Sequence, residues 1–172
     1  MITQTNEFAG GCACNYVRYK MKIRPLVVHG CHCRLCQQQS GASFAVNALV
    51  EANQIELTKG EVVEVVVATP SGNGQSVSRC PKCQIAVWSN YLIFGGILGR
   101  HVHFIKVGTL DEPEQFPPDV HIYTSTKQPW VVLPPHTPAY AEYYETQEIW
   151  SQESLKRRSH LLGVVERETC GK

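Results

Sequence analysis

Seven of the eight cysteines in this 172-residue chain fall into three short groups: Cys12-Ala-Cys14, Cys31-His-Cys33-Arg-Leu-Cys36 and Cys80-Pro-Lys-Cys83. Nothing else in the sequence limits the fold as strongly, because thiols at these spacings suit a shared metal ion. In an extended segment residues i and i+2 point to one face, so Cys12 and Cys14 address one ion. A C-x-x-C turn folds back far enough for both sulfurs to reach a metal at about 2.3 Å. Eight cysteines in 172 residues is too sparse for a secreted disulfide scaffold, which carries more than about 8% Cys. Residues Met1 to Gly11 show neither a basic start nor an apolar stretch. No export signal is therefore expected, and a reducing cytoplasm would keep the thiols free for metal or redox work.

Composition removes several function classes. With 16 Lys+Arg against 15 Asp+Glu, the chain lacks the basic surplus of a nucleic-acid binder. Its longest apolar stretches stay far below the roughly 20 residues of a membrane-spanning helix, so no membrane partner is expected. A hydrophobic fraction of 43% and an aromatic fraction of 9% fit a globular chain, and its length fits one domain. A homo-oligomer is compatible with all of this.

Ligand counting carries the main inference. A closed tetrahedral site takes four thiolates, so seven cysteines divide into four plus three, and catalytic zinc keeps three protein ligands and one open corner. The competing reading is a second structural zinc whose fourth ligand is a histidine: His32, His29, His101, His103 or His121. Spacing permits two partitions. Cys33, Cys36, Cys80 and Cys83 could close a ribbon-like site and leave Cys12, Cys14 and Cys31. Alternatively Cys12, Cys14, Cys80 and Cys83 close the site and leave Cys31, Cys33 and Cys36, three ligands within six residues. Compactness favours the second.

The segments between the cysteines read as short strands. Tyr16–Met21, Phe44–Val50, Ile55–Thr58, Val62–Thr69, Val77–Arg79, Ala86–Ser89, Ile93–Leu98 and His101–Val107 are β-rich or alternating, and Val62–Thr69 is the strongest signal. Pro70-Ser71-Gly72-Asn73-Gly74 is a turn. Recurrent prolines from Pro113 to Pro135 exclude a long helix and imply an extended wrap. Beyond Pro138 helix formers predict helices over 139–151 and 152–162, followed by a loose tail. The chain thus reads as mainly β with a C-terminal helical appendage: a zinc-binding β domain over 8–145 and a polar extension over 146–172.

Gly11-Cys12-x-Cys14 with Val17-Arg18-Tyr19, Cys31-His32-Cys33-x-x-Cys36 with Ser40-Gly41, and Arg79-Cys80-x-x-Cys83 together resemble the glutathione-dependent formaldehyde-activating enzyme and centromere protein V-like family. His121-Ile122-Tyr123 and Pro129-Trp130 are similar to its C-terminal segment. The likeness covers roughly residues 8–145. It implies an Mss4-like β fold with two zinc ions, a structural one on Cys12, Cys14, Cys80 and Cys83 and a catalytic one on Cys31, Cys33 and Cys36. It also implies carbon–sulfur lyase chemistry on a small thiol adduct, with glutathione as partner. The family often places Gly after the last C-x-x-C, where this chain has Gln84.

Three thiolates around Zn2+ leave a net charge of −1, which makes a weak Lewis acid and favours a soft fourth ligand such as a thiol over water. A bound thiolate brings the site to −2, so a cation should stand near; Arg34, inside the clamp, is the candidate substrate-binding residue, with Arg18, Arg100 and Lys127 as further cations. The alternative to an enzyme is a zinc-stabilised module that binds a protein partner. Lesser features read as structural. His101 and His103 are polar-face histidines, Trp130 is a core or lid anchor, Gly95-Gly96 with Gly99 is a turn or bulge, Cys170 is a spectator thiol, and Lys156-Arg157-Arg158 is a solvated helix face.

Overall fold

A computed structural model describes residues 7–92 and 99–170. Its strands are β1 (Phe8–Gly11), β2 (Arg18–Met21), β3 (Val27–Cys31), β4 (Ala45–Glu51), β5 (Ile55–Lys59), β6 (Val63–Val67), β7 (Gln75–Arg79), β8 (Ala86–Tyr91), β9 (Val102–Lys106) and β10 (Val120–Ile122). The α-helices are α1 (Arg34–Ser40), α2 (Thr146–Ile149) and α3 (Gln152–Cys170). The fold is mainly β with a C-terminal helix, as the alternation implies. The chain clusters into two compact units: Met1–Pro25 with Leu49–Gln115, and Leu26–Ala48 with Phe116–Lys172.

The first unit carries two antiparallel arrangements. One runs β1-β2-β5, with Phe8 opposite Met21 and Tyr19 opposite Leu57. The other runs β9-β8-β7-β6. Alternation places Val17, Tyr19, Met21, Val77, Val87 and Ile105 in the core. Tyr19 meets Trp88 edge-to-face at 5.6 Å and bonds the Thr109 hydroxyl at 2.8 Å, so its polar tip is satisfied where its ring is buried. The strongest strand signal becomes β6, at the end of the strand order, where Val63, Val65 and Val66 stay exposed. Strand propensity reports fit to a pleated surface, not burial.

The second unit is built on β3, buried along its whole length, with β4 as one neighbour and β10 as the other. β10 pairs parallel to β3, Val120 opposite His29 and Ile122 opposite Cys31. The Asp119 carboxylate accepts from the Val28 N–H at 2.7 Å, and Ser154 of α3 donates to the Leu26 carbonyl at 2.8 Å. The start of β3 is thereby fixed by residues distant in sequence.

Several expectations need correction. The predicted helix over 139–151 is one turn, α2, because Tyr140, Tyr143 and Tyr144 are drawn into ring contacts and residues 138–142 hydrogen-bond along β10 instead. Tertiary packing overrides local propensity there. The second helix does not stop at Leu162: α3 continues to Cys170. Trp130 is no core anchor; it sits in a turn and is 70% exposed. The strand expected over Ile93–Leu98 and the Gly95-Gly96 turn lie outside the described residues. β1, β3 and β10 were not foreseen; each is short, and two of them contain glycine.

Candidate metal centres

Two turns of matching design bring four sulfurs together in the first unit. In the first, Asn15 N–H donates to the Cys12 carbonyl at 3.0 Å and Val17 N–H to Cys12 Sγ at 3.3 Å. In the second, Gln84 N–H donates to the Cys80 carbonyl at 3.0 Å, while Lys82 and Cys83 N–H point at Cys80 Sγ at 3.4 and 3.5 Å. The residue after each pair is left-handed, Asn15 with φ 57° and Gln84 with φ 63°. That explains why glycine suits the second position: a side chain is accommodated there at a steric cost. Gln84 offsets part of it by donating from its amide to the Pro81 carbonyl at 3.0 Å.

Sγ of Cys12, Cys14, Cys80 and Cys83 all lie within 4.8 Å of one another. Cys12 and Cys14 sulfurs are 3.5 Å apart, Cys14 and Cys80 sulfurs 3.7 Å. A tetrahedral ion with sulfurs at about 2.3 Å sets neighbouring sulfurs about 3.8 Å apart, so the donor set fits a closed tetrathiolate centre. Lys82 lies over the Tyr16 ring at 4.0 Å and brings positive charge to the turn. Without a cation the four thiols share protons unequally. Burial disfavours the Cys12 thiolate, but the Val17 N–H and the other three thiols outweigh it and bring Cys12 down to about 6. The Tyr16 N–H favours the Cys14 thiolate, yet burial and the neighbouring sulfurs push it up to about 11. Metal binding replaces those shared protons.

The second group, Cys31, Cys33 and Cys36, also lies within 4.8 Å. Cys31 ends β3 and Cys33 caps α1: the Cys36 N–H donates to Cys33 Sγ at 3.4 Å, the task a Ser or Asp oxygen usually performs. Helix geometry then turns Cys36 back beside Cys33. Ser40-Gly41 ends α1, with Ser40 Oγ on the Cys36 carbonyl at 2.7 Å and Gly41 left-handed at φ 66°. The Cys31 and Cys36 thiols hold Cys33 far below the ordinary thiol range. Donation to Cys33 and Cys36, with burial added, drives Cys31 far above it. The grouping matches the second of the two partitions left open by spacing.

No histidine joins the three sulfurs among the described residues. His32 turns away: its Nε2 meets His121 Nδ1 at 2.9 Å and its ring packs on Phe44 at 4.7 Å. His32 Nδ1 is buried without a partner. Gly30 makes room for this pair, because a Cβ there would lie 2.5 Å from His121 Nδ1. His29 is pushed down to about 3 by burial and stays neutral. Trp150 Nε1 donates to the Tyr144 hydroxyl at 2.8 Å, and that hydroxyl is hydrogen-bonded to His29 Nε2 at 2.6 Å. In the first unit, His103 bonds Asn90 Oδ1 at 3.0 Å and stacks on Trp88.

Gln37, unforeseen from sequence, ties the clamp together. Its Nε2 donates to the carbonyls of His32 at 2.6 Å and Thr126 at 2.9 Å, and its Oε1 accepts from Gln128 at 2.7 Å. Arg34 is exposed and reaches the same Oε1 at 3.3 Å. Lys127 donates to the carbonyls of Gln128 and Val131. Arg18 and Arg100 lie in the first unit, where they pair with Asp111 and Glu64. Tyr123 and Tyr143, not singled out as site residues from the sequence, also lie in the second unit; burial raises both phenols above their ordinary range, and the neighbouring sulfurs add to it.

A model of the family named glutathione-dependent formaldehyde-activating enzyme matches residues 7–126, which include every cysteine of both groups. This chain belongs to that family. In this member of the glutathione-dependent formaldehyde-activating family, the segment from Lys127 onward lies beyond the matched stretch. A search of curated proteins finds no match. Among solved structures, the crystal structure of a Rhodobacter sphaeroides protein is similar, with 14% identity, 60% of this chain and 87% of that chain covered, and a TM-score of 0.41. No helix among the described residues is long and apolar enough to cross a membrane.

Proposed function

We propose that this chain is a zinc-dependent carbon–sulfur lyase-type enzyme that makes or breaks a small thiol adduct, with glutathione as the thiol, in the manner of an S-(hydroxymethyl)glutathione synthase. The carrying observation is the clamp of Cys31, Cys33 and Cys36, to which no fourth protein donor converges among the described residues. Cys12, Cys14, Cys80 and Cys83 supply the structural ion and the clamp holds the catalytic one. Zinc held by three thiolates supplies a corner that favours a thiol and lowers its pKa, which makes a nucleophile near pH 7.

The chain's own residues do the rest. Gln37 and the His32–His121 pair keep the clamp backbone in place, so the sulfurs need not reorganise when a thiol arrives. Arg34, on the solvent side of α1, is the cation offered to the carboxylates of a peptide-like thiol. Loading the protein with zinc and assaying formation and breakdown of the adduct from glutathione and formaldehyde tests the reading. Turnover that disappears in Cys33→Ser supports it. Two fully retained ions with neither glutathione binding nor turnover would leave a zinc-stabilised binding module instead.

A further inference from the structure

Three extended segments of the second unit run parallel and end together. Ile122 of β10 lies opposite Cys31 of β3, and the His32 N–H donates to the Ile122 carbonyl at 2.9 Å. Residues 138–142 follow the opposite edge of β10. His121 N–H donates to the Pro138 carbonyl at 2.8 Å, Tyr140 N–H to the His121 carbonyl at 2.9 Å, and Tyr123 N–H to the Glu142 carbonyl at 2.9 Å. The register therefore delivers Cys31, Tyr123 and Tyr143 to one end of the three segments.

At that end the two phenols differ in their freedom. Tyr123 turns out of β10 in a left-handed conformation, φ 55°, and its hydroxyl makes no hydrogen bond among the described residues. Tyr143 is fixed from behind. Its ring lies parallel on Tyr144 at 4.8 Å and edge-on to His29 at 5.8 Å, while 39% of the residue stays exposed. The Tyr123 and Tyr143 rings are 6.3 Å apart and inclined at 52°. An unengaged donor and a backed, exposed aromatic face thus stand beside a cluster of thiols.

The geometry points to a subsite for the carbonyl-derived half of the thiol adduct, in which the Tyr123 hydroxyl donates a hydrogen bond to its oxygen and the Tyr143 ring packs against its hydrocarbon substituent. This rests on the thiol-adduct reading above and assigns the half of the adduct that the sulfurs do not hold. In the addition direction the thiol gives its S–H proton to water, the sulfur bonds to the carbonyl carbon, the C=O π pair moves to oxygen, and that oxygen takes a proton back from water. Charge grows on the oxygen as the bond forms, so a donor placed there strengthens in the transition state and serves cleavage equally. Formaldehyde has no substituent to reach Tyr143; a larger aldehyde does. Tyr143 lies beyond residue 126, where the family match ends.

The test uses zinc-loaded full-length protein with glutathione and either formaldehyde or butanal. Tyr123→Phe is expected to lower turnover of both on the order of 100–1,000-fold, as loss of one transition-state donor does. Zinc content should be unchanged and glutathione affinity should stay within about twofold, since neither depends on a phenol that acts only on the adduct oxygen. Tyr143→Ala should raise KM for butanal far more than KM for formaldehyde. Independently of turnover, tyrosine ring NMR signals assigned through Tyr123→Phe and Tyr143→Phe should shift when butanal is added over saturating glutathione. Wild type that works alongside an unaffected Tyr123→Phe and unmoved ring signals overturns the subsite alone. Loss of a zinc ion in Tyr123→Phe makes that residue a support for the clamp and also overturns it. Wild type that neither binds glutathione nor turns over removes both the function and the subsite.

Discussion

The two sulfur groups share one donor chemistry and are built in opposite ways. The four-sulfur group joins turns almost seventy residues apart, each closed by its own N–H···S contacts and a left-handed residue, so it links distant stretches of the first unit. The three-sulfur group comes from six consecutive residues and links nothing distant through its sulfurs; Gln37, Thr126, His121 and Tyr144 hold its frame from outside. A metal in the first place cross-links the fold. In the second, on the proposed reading, the fold would already stand and the metal would be free to do chemistry.

Single substitutions break that contrast most sharply. Cys80→Ser in the four-sulfur group should abolish cooperative unfolding, because a structural zinc contributes about 10–16 kcal/mol of apparent folding energy against a net stability of about 5–15 kcal/mol. Circular dichroism of the purified variant checks this. Cys33→Ser should keep a cooperative transition while metal analysis falls from two ions to one and glutathione binding is lost. If both variants unfold alike, the two groups play the same role and the contrast fails.

A smaller effect tests the external frame. Gln37→Leu removes two donors from the carbonyls of His32 and Thr126 without touching a sulfur. Zinc affinity at the clamp should fall about 10–100-fold, as when an outer partner of a ligand is lost, while the four-sulfur group keeps its ion in competition with a chromogenic chelator. Equal weakening at both places would show that Gln37 acts on the fold and not on the clamp.

The smallest effect concerns pH in the first unit. Burial holds His103 down at about 4, below its unfolded value of 6.5. The folded chain then binds fewer protons than the unfolded one between those values, so stability contributed by the neutral ring is full above pH 6.5 and is lost as pH falls toward 4. His103→Gln should flatten the fall in Tm across that window. An unchanged slope would place the titrating group elsewhere.

Much of the first unit was legible in sequence because β5 to β9 each run over five or six residues rich in strand formers and its turns carry glycine. The clamp itself was legible as three cysteines in six residues. Its surroundings were not. β3 reads as Val27-Val28-His29-Gly30-Cys31, too short and too polar at its end to announce a fully buried strand, and β10 spans three residues. Gln37 resembles any exposed helix glutamine until Thr126 and Gln128 are seen to arrive beside it. Tyr143 lies in a run whose composition favours helix, and only parallel register with β10 turns it toward Cys31. Local pattern encodes the ligands, while long-range pairing supplies what orients them.

Zinc X-ray absorption on the two-metal protein, with and without glutathione, addresses the pairing of a closed and an open centre most directly. Seven protein sulfurs over two ions give an average of three and a half sulfurs per zinc. Addition of glutathione should raise that average to four, with the new sulfur at about 2.3 Å. An average that does not move, whether at four from the outset or with a nitrogen or oxygen retained in the last position, would contradict an open corner at Cys31, Cys33 and Cys36.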